Sequence, residues 1–410
     1  MKIAIKNGIL IDGTGGTPHP NTTVLIEDSK IVDIGANVLI PAESQVIDAT
    51  GKTIIPGLID AHLHLMGVRT MNPIDWTLDP PALRAARATV DVQKLIESGF
   101  TAVRCAGSDL SVYLKKAIDE GTIPGPRIVA AHQCITQTAG HGDTHELPLE
   151  WVTGPYGHGR IADGVDECRK AAREQVRAGA DVIKICTTGG VMSEKDSPTQ
   201  AQFVDEEIAA ITTEAHRVGI KVMSHAQSPE GIQNAVRNGV DTIEHAIYLD
   251  KETIELLKAK KTIVVPTFAI VNAIVTRGEE VGTPDYGLLK AKEAHKAHLE
   301  SIKKAYQAGV KIALGTDFCG PSIIPHGENA VELEILVNQV GMTPLEAIVA
   351  ATKTGSEALG LEKNIGTLEI GKKADLLIVE GNPLEDITIL QNKEKIVVVM
   401  KEGQIVVDRR

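Results

Sequence analysis

Six side chains able to do chemistry stand late in runs that otherwise read as buried strands. They are His62 and His64 in "PGLIDAHLHL", Lys184 in "ADVIKICTTGG", His225 in "IKVMSHAQ", His245 in "VDTIEHAIY" and Asp317 in "VKIALGTDFCG". Residues i and i+2 of a strand point to one face, so His62 and His64 reach into a shared space. Taken alone, that pair also reads as two satisfied core histidines; the four matching positions tip the reading. Four imidazoles and a carboxylate around one cavity are costly to bury without a counter-ion, and they are the ligand types that suit zinc and other borderline divalent metals. Lys184 looks wrong beside a dication. A lysine whose pKa falls in a dry, metal-adjacent site is nevertheless a neutral amine, which can capture carbon dioxide.

The elements that must position these groups follow from the chain's rhythm. Amphipathic helical segments end at Gly99, Gly179, Gly219, Gly239 and Gly309, each followed at once by a short β-branched run. Glycine there is the expected helix C-cap. The strands after those glycines, with "TIIPGLIDAHLHL", "PRIVAAHQC" and "KTIVVPTF", make eight. Alternating strands and helices, with no Gly-x-Gly-x-x-Gly after the first strand, predict an α/β fold of the (β/α)8 TIM-barrel type, whose active site lies at the C-terminal strand ends. Both chain ends read as β, with hairpins expected at Asn7-Gly8, Asp28-Ser29 and Glu402-Gly403. Residues 1–55 plus 364–410 are therefore expected to form one small composite β-sandwich, and 56–363 the catalytic barrel.

Composition narrows the function classes. Of 410 residues, 43% are hydrophobic and only 3% aromatic, so the core must be built from Ala, Val, Ile and Leu. A net charge of −12 without a basic patch argues against nucleic acid as a partner. Five cysteines without Cys-x-x-Cys spacing argue against a disulfide framework and a thiolate zinc site, and suit a reducing cytoplasm. No signal peptide or membrane-spanning run is read. Cys105, Cys134, Cys186 and Cys319 fall near strand ends as small apolar fillers. Arg104, at the end of the second strand, reads as neutralising a carboxylate or as a tie between barrel loops, the tie being favoured. In the loops, His141 of "TAGHGDTH" and His326 of "PHGEN" are candidate substrate contacts, with Asp143 and His145 weaker ones.

These pieces, with the tail "GTLEIGKKADLLIVEGNPLED", resemble the amidohydrolase superfamily over nearly the whole chain. The loops "GHGDTH", "TTGGVMSEKDSPTQAQF" and "HGEN" are similar to its branch of metallo-dipeptidases and imidazolonepropionase-like hydrolases. The resemblance implies two divalent metal ions, zinc foremost, and a Lys184 carboxylated by carbon dioxide that bridges them. One metal takes His62, His64, Asp317 and the carbamate; the other takes His225, His245 and the carbamate. It implies attack of a metal-bridging hydroxide on an amide of a dipeptide or N-acyl amino acid, with Asp317 as general base and then acid. A cyclic amide, N-aryl carbamate or urea, lactone or phosphotriester is the alternative for the same site, and a non-catalytic scaffold the alternative class. A mononuclear deaminase is disfavoured, since Ser228 stands where such enzymes place Glu. Gln227, where several dipeptidase relatives carry a substrate-touching tyrosine, takes the substrate-binding position here. Small-molecule or short-peptide substrates and a homo-oligomer complete the expectation.

Overall fold

In the computed structural model, which describes residues 2–153 and 157–410, the N-terminal strands are β1 (Lys2–Leu10), β2 (His19–Glu27), β3 (Lys30–Gly35), β4 (Gln45–Asp48) and β5 (Lys52–Pro56). The middle of the chain supplies β6 (Leu58–Leu63), β7 (Phe100–Cys105), β8 (Arg127–Ala130), β9 (Cys134–Thr136) and β10 (Gly159–Ile161). It continues with β11 (Val182–Cys186), β12 (Lys221–Ala226), β13 (Thr242–His245) and β14 (Ile263–Val265). The C-terminal strands are β15 (Leu376–Glu380), β16 (Ile396–Lys401) and β17 (Gln404–Asp408).

Both chain ends share one sheet, ordered β17-β16-β15-β5-β1-β2-β3 with β4 alongside β1. The join is antiparallel pairing of β5 with β15, from Leu376 opposite Pro56 to Glu380 opposite Lys52. Its core is aliphatic, with Ile3, Ile5, Ile26, Ile54, Leu376 and Ile378 among the buried members, as the scarcity of aromatics requires. The hairpins at Asp28-Ser29 and Glu402-Gly403 form as expected. The one expected at Asn7-Gly8 does not: β1 runs through it with a register shift. Asn7 takes φ +64 there, and a side chain at position 8 would collide with Ile54. This is a bulge, in which one extra residue is absorbed without reversing the strand.

The middle of the chain is a TIM-barrel-like α/β fold of parallel strands. Two sheets, β6-β7-β8 and β10-β9-β11-β12-β13-β14, are parallel throughout. The Asp181 N–H donates to Ala130 C=O at 2.7 Å, linking the start of β11 to β8. The expected eighth strand has no continuous ladder, only isolated parallel bridges Val264↔Ile312 and Leu63↔Phe318. It bonds β14 through Ala313 N–H to Val264 C=O, and β6 through Asp317 N–H to His62 C=O at 2.7 Å. Helices such as Pro81–Glu97, Val165–Ala178, Asp205–Arg217 and Asp285–Gln307 occupy the crossovers. Gly99, Gly179, Gly219, Gly239 and Gly309 all have φ between +80 and +98, the left-handed conformation that closes a helix and that glycine adopts without a Cβ penalty. Leu95, Phe100, Ile183, Ile211, Ile243 and Leu314 are buried between the helices and strands. Among the described residues, no helix is long and apolar enough to cross a membrane.

Candidate metal centre

The six side chains singled out by their place in the strands line one cavity of about 190 Å³. Ligand atoms of His62, His64 and Asp317 all lie within 4.8 Å of one another. Asp317 Oδ1 is 3.4 Å from His62 Nε2 and 3.1 Å from His64 Nε2. Around them the ring centroids of His62 and His245 are 5.0 Å apart, and those of His245 and His225 4.6 Å. The backbone is strained where the strands end: His245 has φ +72 and Asp317 φ +58, conformations that non-glycine residues keep only when their surroundings impose them.

A metal fits this donor set, as the partners of each ring show. His62 Nδ1 lies 2.7 Å from Glu244 Oε2, and an ionised carboxylate only accepts, so Nδ1 carries the proton. Against burial, which by itself would raise it, Arg104 and then His62 hold the Glu244 carboxyl down at about 2. The buried His62 Nε2 is left with a lone pair and no hydrogen-bond partner among the described residues. His64 Nδ1–H donates to Gly107 C=O at 2.8 Å, and His225 Nε2–H to Gly189 C=O at 3.1 Å. His245 Nδ1 meets Thr267 Oγ1 at 2.7 Å. Each ring thus has one nitrogen tied to the protein and one left over, the arrangement by which proteins orient imidazole ligands. Burial pushes His225 and His245 well below the ordinary histidine value, which keeps them neutral, the form that binds metal. Lys184 is 3% exposed, and no carboxylate pairs with it among the described residues.

Two positioning groups, Glu244 and Asp60, escape a reading by strand ends alone, and Arg104 joins them. Glu244 is wholly buried between His62, Arg104 and Thr242. Arg104 ties strands and a helix rather than loops, donating to Ala61 C=O on β6, to Ala358 C=O in the helix Lys353–Leu359 and to the Glu244 carboxylate on β13. Asp60 accepts from His62 N–H, Thr316 Oγ1 and Asn329 Nδ2 at 2.7–3.0 Å, while burial raises its carboxyl to about 6. The available signal was a carboxylate inside an apolar strand in "LIDAHL" and "TIEHA", which must find partners.

His141 lies on the cavity wall, its ring stacked 3.9 Å from that of His225 and its Nδ1 2.9 Å from Ser193 Oγ. Burial lowers it to about 4. His326 and Gln227, the other two expected substrate contacts, are not among the residues that line the cavity. The His326 loop folds behind the strand end, so that Nε2–H donates to His64 C=O at 3.1 Å. Gln227 is buried in the wall, its N–H bonded to Thr188 Oγ1 and its C=O to Tyr248 N–H. Of the weaker candidates, Asp143 lines the cavity, whereas His145 Nδ1 accepts the Lys195 N–H outside it. Met66, Met71, Trp76, Met192 and Ile270 give the wall an apolar part, and Ser108, Asp109, Thr144, Glu146 and His158 a polar one.

Fold and cluster together define a metal-dependent hydrolase, and the chain belongs to the amidohydrolase family, whose profile matches residues 53–406. It is 36% identical to ochratoxinase of Aspergillus niger over 98% of this chain and 86% of that protein. The crystal structure of that ochratoxinase superposes with a TM-score of 0.90, covering 99% and 96% of the two chains at 35% identity. A prolidase solved in complex with N-methylphosphonate-L-proline gives a TM-score of 0.93 at 31% identity over 100% of both chains. Imidazolonepropionase of Geobacillus sp. strain WCH70 is 25% identical over 94% of this chain and 90% of its own.

Proposed function

We propose that this enzyme hydrolyses the amide bond of a dipeptide or N-acyl amino acid. The observation that carries the reading is the set of imidazoles around Asp317 and Lys184, each tied to the protein through one nitrogen with the other left over. In this reading residues 56–363 are a closed (β/α)8 catalytic barrel, and residues 1–55 with 364–410 a β-sandwich. His62, His64, His225, His245, Asp317 and a carboxylated Lys184 would hold two divalent ions, zinc foremost. Carboxylation suits Lys184, because a buried ammonium without a counter-charge is unfavourable beside cations and a carbamate supplies the missing anion. Bound ions of this kind polarise a carbonyl and lower the pKa of water from about 15.7 to about 7.

The chain's own groups do the rest. Asp317 takes a proton from the attacking water and delivers it to the leaving nitrogen. His141 binds substrate through Nε2, the nitrogen not engaged with Ser193. The Met- and Trp-lined wall receives an apolar substituent. Amide hydrolysis is supported by the likeness to an ochratoxinase and a prolidase.

The test is a panel of dipeptides, N-acyl amino acids and aryl carbamates offered to zinc-loaded protein. Turnover confined to carbamates or ureas would reject the amide reading, and a metal content well below one per chain would reject the centre. Lys184→Ala is expected to lower kcat by at least about 100-fold, since it removes a group that would hold the ions. Unchanged turnover in that variant would refute the carbamate.

A further inference from the structure

The chain's sulfur is concentrated in the same cavity. Of five cysteines and seven methionines, six residues line it: Met66, Met71, Met192, Cys134, Cys186 and Cys319. Two of these touch, with Cys134 Sγ on β9 3.2 Å from Cys186 Sγ on β11. Pairing of Ile135 with Ile185 puts Cys134, Cys186 and Lys184 on one face of the sheet, the cavity face. Neither thiol is committed to a disulfide.

We infer that Cys134 and Cys186 form a second binding site in the cavity, distinct from the nitrogen and oxygen cluster, for a thiophilic trivalent centre of the arsenical class. Soft thiol ligands select soft centres, whereas the histidine and carboxylate cluster suits borderline ones. The register opposes a disulfide, because a two-residue offset between neighbouring strands separates the Cα atoms by about 8 Å, beyond the reach of about 7 Å that a disulfide spans. A pyramidal atom bonded to both sulfurs needs no such approach of the backbones. With phenylarsine oxide the step balances without an oxidant: the arsenic–oxygen bond and two S–H bonds break, two arsenic–sulfur bonds form, and one water leaves. The arsenic stays trivalent. Cys186 pairs in register with His225, so the occupant sits against the metal cluster and obstructs the cavity.

The experiment uses metal-loaded, full-length protein with one equivalent of phenylarsine oxide, read by native mass spectrometry and therefore independent of substrate. One adduct is expected, removed by 2,3-dimercaptopropanol and resistant to excess monothiol. Cys134→Ser and Cys186→Ser should each bind about a hundred-fold more weakly, because the second sulfur no longer closes the chelate, while Cys319→Ser retains the adduct. In unmutated protein, the adduct should shield Cys134 and Cys186 together from iodoacetamide. No monothiol-resistant adduct, equal retention by either serine variant, or shielding of other cysteines would overturn the site.

Discussion

At the scale of the residue, Glu244 explains most about how the centre is held. One carboxylate oxygen meets His62 and the other Arg104, all three fully buried. Glu244→Gln places an amide N–H₂ against either a guanidinium or an imidazole N–H, so the His62 ring loses its fixed tautomer. Metal affinity should fall about 10–100-fold, the usual consequence of losing a partner behind a ligand, as read by competition with a chromophoric chelator. Glu244→Ala also leaves the Arg104 charge buried without its partner, which costs about 3–5 kcal/mol; a denaturation midpoint unmoved by that change would show that the ion pair carries nothing. His62 could be picked out of the sequence and Glu244 could not. Parallel strands covered on both faces carry no polar side, so "TIEHA" shows that Glu244 needs partners but not which ones.

At the scale of the element, the strand ends are aimed by contacts from segments distant in sequence. Glu332 accepts the N–H groups of Phe268 and Ala269 at 2.9 and 2.8 Å, anchoring the helix start directly after Thr267, the partner of His245. Glu332→Gln keeps one acceptor and turns an N–H₂ on the other donor. A loss of about 1–3 kcal/mol is expected, the cost of leaving a buried donor unsatisfied, measured by urea unfolding. Gly315 is the reverse case, for a Cβ there would lie 2.9 Å from His62 Cβ and also overlap Val265. Gly315→Ala should displace His62 and reduce metal content at equilibrium while leaving the terminal sheet folded; unaltered metal binding would sink this account. The helix-ending glycines were legible because each obeys a local steric rule. The Asn7-Gly8 bulge was not, because the same dipeptide makes a hairpin unless packing, here against Ile54, keeps the strand going.

At the scale of the whole molecule, the terminal sheet is fastened to the base of the barrel-like unit by charge. Arg127 of β8 pairs with Asp375 at 2.5 Å and Glu402 at 2.6 Å, and Lys373 also reaches Glu402. Partial burial opposes the charge, but Lys373 and Arg127 hold Glu402 down at about 2, below its ordinary 4.5. A depressed carboxylate adds stability above its unfolded pKa and loses it as pH falls through its folded one. The junction should therefore weaken between about pH 4.5 and pH 2, seen as a falling Tm, and Glu402→Gln should show a shallower fall over that window. Parallel curves for the two proteins would refute the assignment.

The sequence by itself determined the strand and helix alternation, the shared β character of the two ends and the six side chains that meet in one cavity, because periodicity, C-caps and the cost of buried imidazoles are local matters. His141, read as a substrate contact from its Gly-flanked loop after a strand end, lies on the cavity wall. Only the tertiary structure decided that His326 and Gln227 sit behind the wall, that Glu244 and Asp60 fix the tautomer and backbone of His62, and that two cysteines 52 residues apart bring their sulfurs into contact. Those outcomes depend on register and on loops folding back across distant strands. No local rule encodes them.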